Sequence, residues 1–225
     1  MIIAIDGTAS SGKTSAAKEL SKRLDVPLLP TGLIYRAITL KAINENIVPE
    51  NQSGLSKMLE NTTIETVYMN KSVSVYLDKL PVSYEFLKSE KVSENVAKYA
   101  CIPFVREYVR KIQRQQADLH KNIIVEGRDI GSIVFPNADI KFFVDADLET
   151  RAIRRQKEFL NAGENMSLEQ VKEAIIERDE ADRKRMISPL IMTSDAILID
   201  TSNMNVMQVV DLMIEKINQK KKHEI

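Results

Sequence analysis

The sequence predicts an α/β protein: a five-stranded parallel sheet with helices on both faces, a small antiparallel β insertion and a helical lid. Three observations carry this. Five short apolar runs, at 2–5, 26–29, 123–125, 140–144 and 197–199, alternate with stretches that are apolar at helical spacing, the pattern of a parallel sheet covered on both sides. The first run stops at Gly7 and restarts as a helix after Gly12. Between 64 and 77 the period changes from helical to strict alternation, which marks an antiparallel patch inside an otherwise α/β chain.

The first strand, Ile2 to Ile5, leads into Gly7-Thr8-Ala9-Ser10-Ser11-Gly12-Lys13-Thr14, which fits G-x-x-x-x-G-K-[ST] at every position. Glycines let the backbone wrap an anion, and the N–H groups that open the next helix point at it. Gly7 to Ser15 are therefore the expected phosphate-binding segment, with Lys13 reaching the β/γ-phosphates of a nucleoside triphosphate and the Thr14 hydroxyl on Mg²⁺. In the helix that follows, Ala16, Ala17, Leu20 and Leu24 read as one helical face. After the second strand, Pro30-Thr31-Gly32 opens a helix whose apolar face is Leu33, Ile34, Ala37, Ile38 and Ala42, leaving Arg36 on the other side for solvent or a ligand. Residues 46–54 turn polar. Strands at 64–69 and 72–77 flank a turn at Asn70-Lys71, and 80–83 adds a third, an insertion well placed to cover a second ligand.

Helical spacing returns from Val92 to Leu119, broken at Pro103. Arg110 and Arg114 read as a solvated face, whereas Arg106, at a helix start, is left open between that role and a ligand. The third strand ends in Glu126-Gly127-Arg128-Asp129-Ile130-Gly131, an exposed, irregular turn in which Arg128 and Asp129 face a crevice at the strand's carboxyl end or form a surface ion pair. Asp147 caps the next helix, on which Arg151, Arg154 and Arg155 crowd within about one turn and require an anion or several carboxylates, a triphosphate being economical. With the polar loop behind them they form a candidate lid over 151–166 that excludes water. From Ser167 a capped helix turns Leu168, Val171, Ile175 and Ile176 inward. Arg178, Asp182 and Arg185 share one face at i, i+4, i+7, either presenting two guanidinium groups and a carboxylate to one ligand or neutralising each other in solvent. A last strand and a helix with Val206, Val209, Val210, Met213 and Ile217 inward close the chain before a frayed tail at 220–225.

Composition narrows the function. Lys+Arg and Asp+Glu balance at 32 each, so no net field or basic stripe recommends a nucleic-acid partner. No apolar run approaches the ~20 residues of a membrane span, and Asp6 comes too early for a signal peptide. A single cysteine, Cys101, excludes an internal disulfide and fits the cytoplasm.

The segments GTASSGKTSAAK, TGLIYRAITL, VEGRDIGSIVFPNADIKFFVDAD, IIERDEADRKRMISPL and AILIDTS, in this order over nearly the whole chain, resemble bacterial cytidylate kinase, of the nucleoside monophosphate kinases that carry this loop. The resemblance implies one kinase domain over 1–225, with an acceptor-binding region at 31–118 that includes the β insertion 64–83, and a lid at 150–167. It implies a monomer that transfers a phosphoryl group from MgATP to CMP or dCMP, without nucleic acid or membrane. It places Arg36 and Arg128 on the acceptor phosphate, Arg106 and Asp129 on cytosine, Arg178 and Asp182 on the sugar, Arg185 between base and phosphate, and Thr31 near the acceptor. It puts Arg151 and Arg155 in the lid, on adenine and the donor phosphates, and with Lys13 and Arg128 makes Arg155 a catalytic candidate. Kinases of UMP, AMP or shikimate, and a phosphate-loop ATPase or regulator, are the rival readings. Two departures stand out: Thr8 replaces a proline, which should matter little because the cradle is built by later N–H groups, and Ala97 stands where the family has a base-contacting serine, leaving Ser93 or water as substitutes.

Overall fold

The structure, a computed structural model, describes residues 1–161 and 163–223. In chain order the elements are β1 (Ile2–Gly7), α1 (Lys13–Leu24), β2 (Leu28–Pro30), α2 (Thr31–Asn44), α3 (Gln52–Glu60), β3 (Ile64–Met69), β4 (Ser72–Leu77), β5 (Leu80–Val82), α4 (Tyr84–Leu87), α5 (Glu90–Ala100), α6 (Pro103–Leu119), β6 (Ile123–Glu126), a π-helical turn (Ile130–Val134), β7 (Ile140–Asp145), α7 (Leu148–Asn161), α8 (Leu168–Lys184), β8 (Ile197–Asp200) and α9 (Val206–His223). Five strands form a parallel sheet in the order β2-β6-β1-β7-β8, and three form an antiparallel sheet in the order β3-β4-β5. The chain divides into two units, Met1–Val26 with Glu126–Ile225, and Pro27–Val125. Among the described residues no helix is long and apolar enough to cross a membrane.

In the first unit β1 pairs with β7 in parallel, Ile3 opposite Ile140 and Ile5 opposite Phe142, and β7 pairs with β8, Val144 opposite Ile199. These side chains are buried, as expected of strands covered on both faces. Helix α1 buries Ala16, Ala17 and Leu20 and packs on α9, which buries Val209, Val210, Met213 and Ile217. Helices α7 and α8 share a smaller core of Ala152, Val171 and Ile175, joined by Leu148, Phe159, Met166 and Leu168. Asp147 caps α7, accepting the Thr150 N–H at 2.7 Å, and Ser167 with Gln170 closes a reciprocal capping box at the start of α8.

In the second unit the β3-β4 hairpin runs from Ile64 opposite Leu77 to Met69 opposite Ser72, and Asn70 and Lys71 at its tip both have positive φ. Helix α2 packs on α4, α5 and α6, burying Ile34, Ala37, Ile38 and Ala42. The unit's two ends are tied by the Ile124 N–H to the Pro27 carbonyl at 2.8 Å.

Some expectations are corrected. The polar stretch after 46 contains α3, started by Asn51, whose side chain accepts the Gly54 N–H at 3.0 Å, and a further short helix, α4, follows the hairpin. Ile176 is 42 % exposed, because the inward face of α8 runs through Val171, Ile175, Asp179 and Asp182. Val206, on the first turn of α9, is also exposed. Lys220 to Lys222, expected to fray, continue α9; Glu224 and Ile225 of that tail, and Ala162 of the expected lid, lie outside the described residues.

Candidate active site

The phosphate-loop motif is shaped by two backbone requirements. A Cβ on Gly7 would meet the Val144 carbonyl oxygen at 2.0 Å, so β1 approaches β7 closely only with glycine there. Gly12 turns left-handed (φ 86°) to start α1 at Lys13, and Ser10 shares that region (φ 58°). The first N–H groups of α1 have no acceptor within the helix, which suits this helix start to an anion. Thr8 is more engaged than expected. Its hydroxyl donates to Asp145 Oδ1 at 2.6 Å, and its carbonyl accepts Ser11 Oγ at 3.0 Å, Lys13 Nζ at 3.1 Å and Arg128 Nη1 at 3.2 Å. Burial, and then the neighbouring Arg128, push the Lys13 ammonium down to about 7. The Thr14 hydroxyl donates to Glu126 Oε1 at 2.9 Å, and Ser15 is exposed.

Beyond β6 the chain makes a turn pinned to β1. Gly127 N–H donates to the Ile5 carbonyl at 3.0 Å, and Asp6 accepts the N–H groups of Ile130 (2.9 Å) and Gly131 (2.7 Å). This corrects the expected exposed turn: Asp129 is 6 % exposed, because the backbone after it folds back on the Asp6 carboxylate. Arg128 donates to the Gly7 carbonyl at 2.6 Å and from Nε to Asp182 Oδ2 at 2.7 Å. Asp182 is 1 % exposed and also pairs with Arg185. Burial pushes the Asp182 carboxyl up, but Arg128, Arg185 and Arg178 outweigh it and hold the group below its ordinary value. The end of α8 is thus a buried charge centre and not a solvated face. Arg185 reaches Asp182 from just past the helix end rather than from its i+7 face.

The three arginines of α7 go to three different places. Arg151 is buried, donates from Nε to the Ala146 carbonyl at 3.0 Å and from Nη1 to the Ala9 carbonyl at 3.2 Å, and pairs with Asp179. Arg154 donates to the Thr201 hydroxyl (2.8 Å) and carbonyl (2.7 Å) and to the Ser11 carbonyl (3.4 Å). Arg155 pairs with Glu158 at 2.7 Å and lies 4.3 Å over the Phe159 ring. Carboxylates of the protein therefore neutralise Arg151 and Arg155, while Arg154 is held by carbonyls and a hydroxyl. Asp6, Glu126, Asp145, Asp179 and Thr201 were not among the sequence candidates. For Asp6, Glu126, Asp145 and Thr201 the usable signal was position, since each lies at the carboxyl end of a parallel strand.

The remaining candidates lie in the second unit. Thr31 opens α2 and accepts from Gln113 Nε2 at 2.9 Å. Arg36 donates to the Leu87 carbonyl and Ser93 Oγ, both at 2.9 Å. Arg106 is 3 % exposed, donates to the Ala100 carbonyl at 2.8 Å and faces the Tyr35 ring at 5.7 Å, which settles it as buried rather than solvated. Ala97 is exposed, and Ser93, the expected substitute, is a partner of Arg36.

A sequence model of the cytidylate kinase family matches residues 3–219. The chain belongs to the cytidylate kinase family. It is 39% identical over 220 residues to the cytidylate kinase of Carboxydothermus hydrogenoformans, covering 98% of each chain, and 41% identical over 223 residues to that of Caldanaerobacter subterraneus, covering 99% of this chain and 97% of the relative. This cytidylate kinase family member shares its fold with an uncharacterized protein of Eubacterium ventriosum, with a TM-score of 0.52 at 14% identity over 97% of this chain and 98% of the other.

Proposed function

We propose that the protein transfers the γ-phosphoryl group of MgATP to CMP or dCMP, giving ADP and CDP or dCDP. One observation carries this reading: the Thr8 carbonyl accepts from both Lys13 and Arg128, so the cation assigned to the donor phosphates lies beside the one assigned to the acceptor phosphate. Phosphoryl transfer asks for positive charge around the transferring group and for alignment more than for covalent chemistry. An acceptor monophosphate with a second pKa near ~6 is already largely dianionic at neutral pH, so no strong base is needed.

In this reading the loop from Gly7 to Ser15 holds the triphosphate, with Arg151 and Arg155 on the donor side, in a lid over 150–167. Arg36 and Arg128 hold the acceptor phosphate, Arg178 and Asp182 the sugar, Arg185 lies between base and phosphate, and Thr31 belongs to the acceptor region at 31–118. Asp129 accepts from the cytosine N4 amino group and Arg106 donates to its O2/N3 edge. The Thr14 hydroxyl, with Glu126 behind it, suits a hard cation that takes oxygen ligands. Mg²⁺ would arrive with the triphosphate and neutralise part of its charge. The reading takes the enzyme as a cytoplasmic monomer.

The test is coupled ADP release over CMP, dCMP, UMP, AMP and shikimate. CMP and dCMP should be turned over fastest, and equal rates with UMP or AMP would sink the assignment. Asp129→Ala should raise KM for CMP far more than KM for ATP, because uncompensated polar groups at a base edge are what reject the wrong base. Equal effects on both substrates would show that Asp129 does not read the acceptor.

A further inference from the structure

Asp179 lies on the buried face of α8, is 3 % exposed and has none of the roles above. Its Oδ1 accepts the Ala9 N–H at 2.9 Å, and its Oδ2 is hydrogen-bonded to Arg151 Nη1. Arg151 in turn donates to the Ala9 carbonyl. A single ion pair, one member from α7 and one from α8, therefore holds both polar groups of one loop residue.

The place of that residue matters. Ala9 is the third position of the phosphate-loop motif, before Ser10 and Gly12 turn the chain left-handed into α1. The N–H groups suited to an anion are those that open α1, and the pair uses none of them. It grips the loop upstream of the cradle, where the Thr8 N–H also meets the Val144 carbonyl at 3.3 Å. A buried ion pair adds little net stability over a well-packed apolar one, so what it holds is the better account of its presence.

We propose that Asp179 and Arg151 form a brace that sets the phosphate loop for the donor triphosphate, with Asp179 a positioning residue of phosphoryl transfer. The proposal rests on the kinase reading above and deepens its donor half. It differs from a direct phosphate role for Arg151, since in a brace neither member works without the other.

The experiment compares wild type, Asp179→Asn, Asp179→Ala, Arg151→Ala and the Asp179→Ala/Arg151→Ala double variant. It reads kcat and KM for ATP at saturating CMP, ATP and CMP affinity by calorimetry, and the melting temperature. A misplaced loop predicts that Asp179→Ala lowers kcat/KM for ATP on the order of 100-fold. CMP affinity measured without ATP should stay within about threefold, and the double variant should be no worse than the worse single variant, as for residues that act as a unit. Asp179→Asn keeps an oxygen for Ala9 and nearly the same shape while removing the charge facing Arg151. It guards against loss of fold and should itself lose about tenfold. Multiplying losses in the double variant, an unchanged Asp179→Asn, or equal losses for ATP and CMP would each overturn the brace. If wild type fails to turn over CMP, the kinase reading fails first, and ATP affinity across the same variants still decides the brace.

Discussion

Asp6 shows how one buried carboxylate organises a site it need not touch. It is the next-to-last residue of β1 and accepts the two N–H groups that shape the turn after Arg128 and Asp129. Burial pushes its carboxyl up to about 6, and Asp129 adds to the rise, while the Gly131 and Ile130 N–H groups and Arg128 oppose it. Lys141 flanks the same turn with its stem against Gly131 and is paired with Asp195 at 2.7 Å. Because the folded value lies above the ordinary 3.8, the native state binds more protons than the unfolded chain between pH 3.8 and about 6. The contribution of this group to stability is therefore complete below that window and lost as pH rises through about 6. Asp6→Asn cannot titrate, so the stability of wild type relative to Asp6→Asn, read by urea denaturation, should fall from pH 4 to 6.5 and then level off. A difference that does not change with pH would show that Asp6 is ionised throughout.

Elements differed in how far they could be read from residues alone. The strands β1, β2, β6 and β7 were legible because their residues are buried on both faces, so they read as short apolar runs such as Ile123 to Val125, whereas the edge strand β8 leaves Leu198 exposed and was read from its apolar triplet alone. The phosphate loop was legible for another reason: Gly7 meets a neighbouring carbonyl and Gly12 needs a left-handed φ, so the backbone itself dictates residue types. Helix α8 was only half legible. Its i, i+4, i+7 spacing singled out Arg178 and Asp182, but Asp179 lay within a run of charge that looks like a solvated face. Its burial depends on α7 and the phosphate loop, which are distant in sequence. The arginines of α7 show the same limit. Arg151, nearer the start of the helix, reaches Ala9, whereas Arg155, one turn farther on, finds Glu158 and Phe159 instead. Helix α4, four residues long, is too short to show a period at all.

At the scale of the whole molecule, ligands that bind only the folded chain stabilise it by mass action, by about 2.7 kcal/mol at a hundredfold excess over Kd. Two substrates should therefore each raise the melting temperature, and a variant that loses one site should lose one of the two shifts. Lys13→Ala is the informative choice because its effect on the free protein is favourable. Burial and Arg128 push the ammonium down to about 7, so the fold bears a cost for keeping that charge. The Thr8 carbonyl that Lys13 occupies keeps Ser11 and Arg128 as donors after truncation. The unliganded variant should thus melt no lower than wild type at neutral pH, while turnover and the shift produced by ATP disappear. The shift produced by CMP should persist, because the residues assigned to the acceptor are untouched. Retention of the ATP shift in Lys13→Ala would place the donor elsewhere than in the loop, and loss of both shifts with an unchanged melting temperature would show that one site serves both nucleotides.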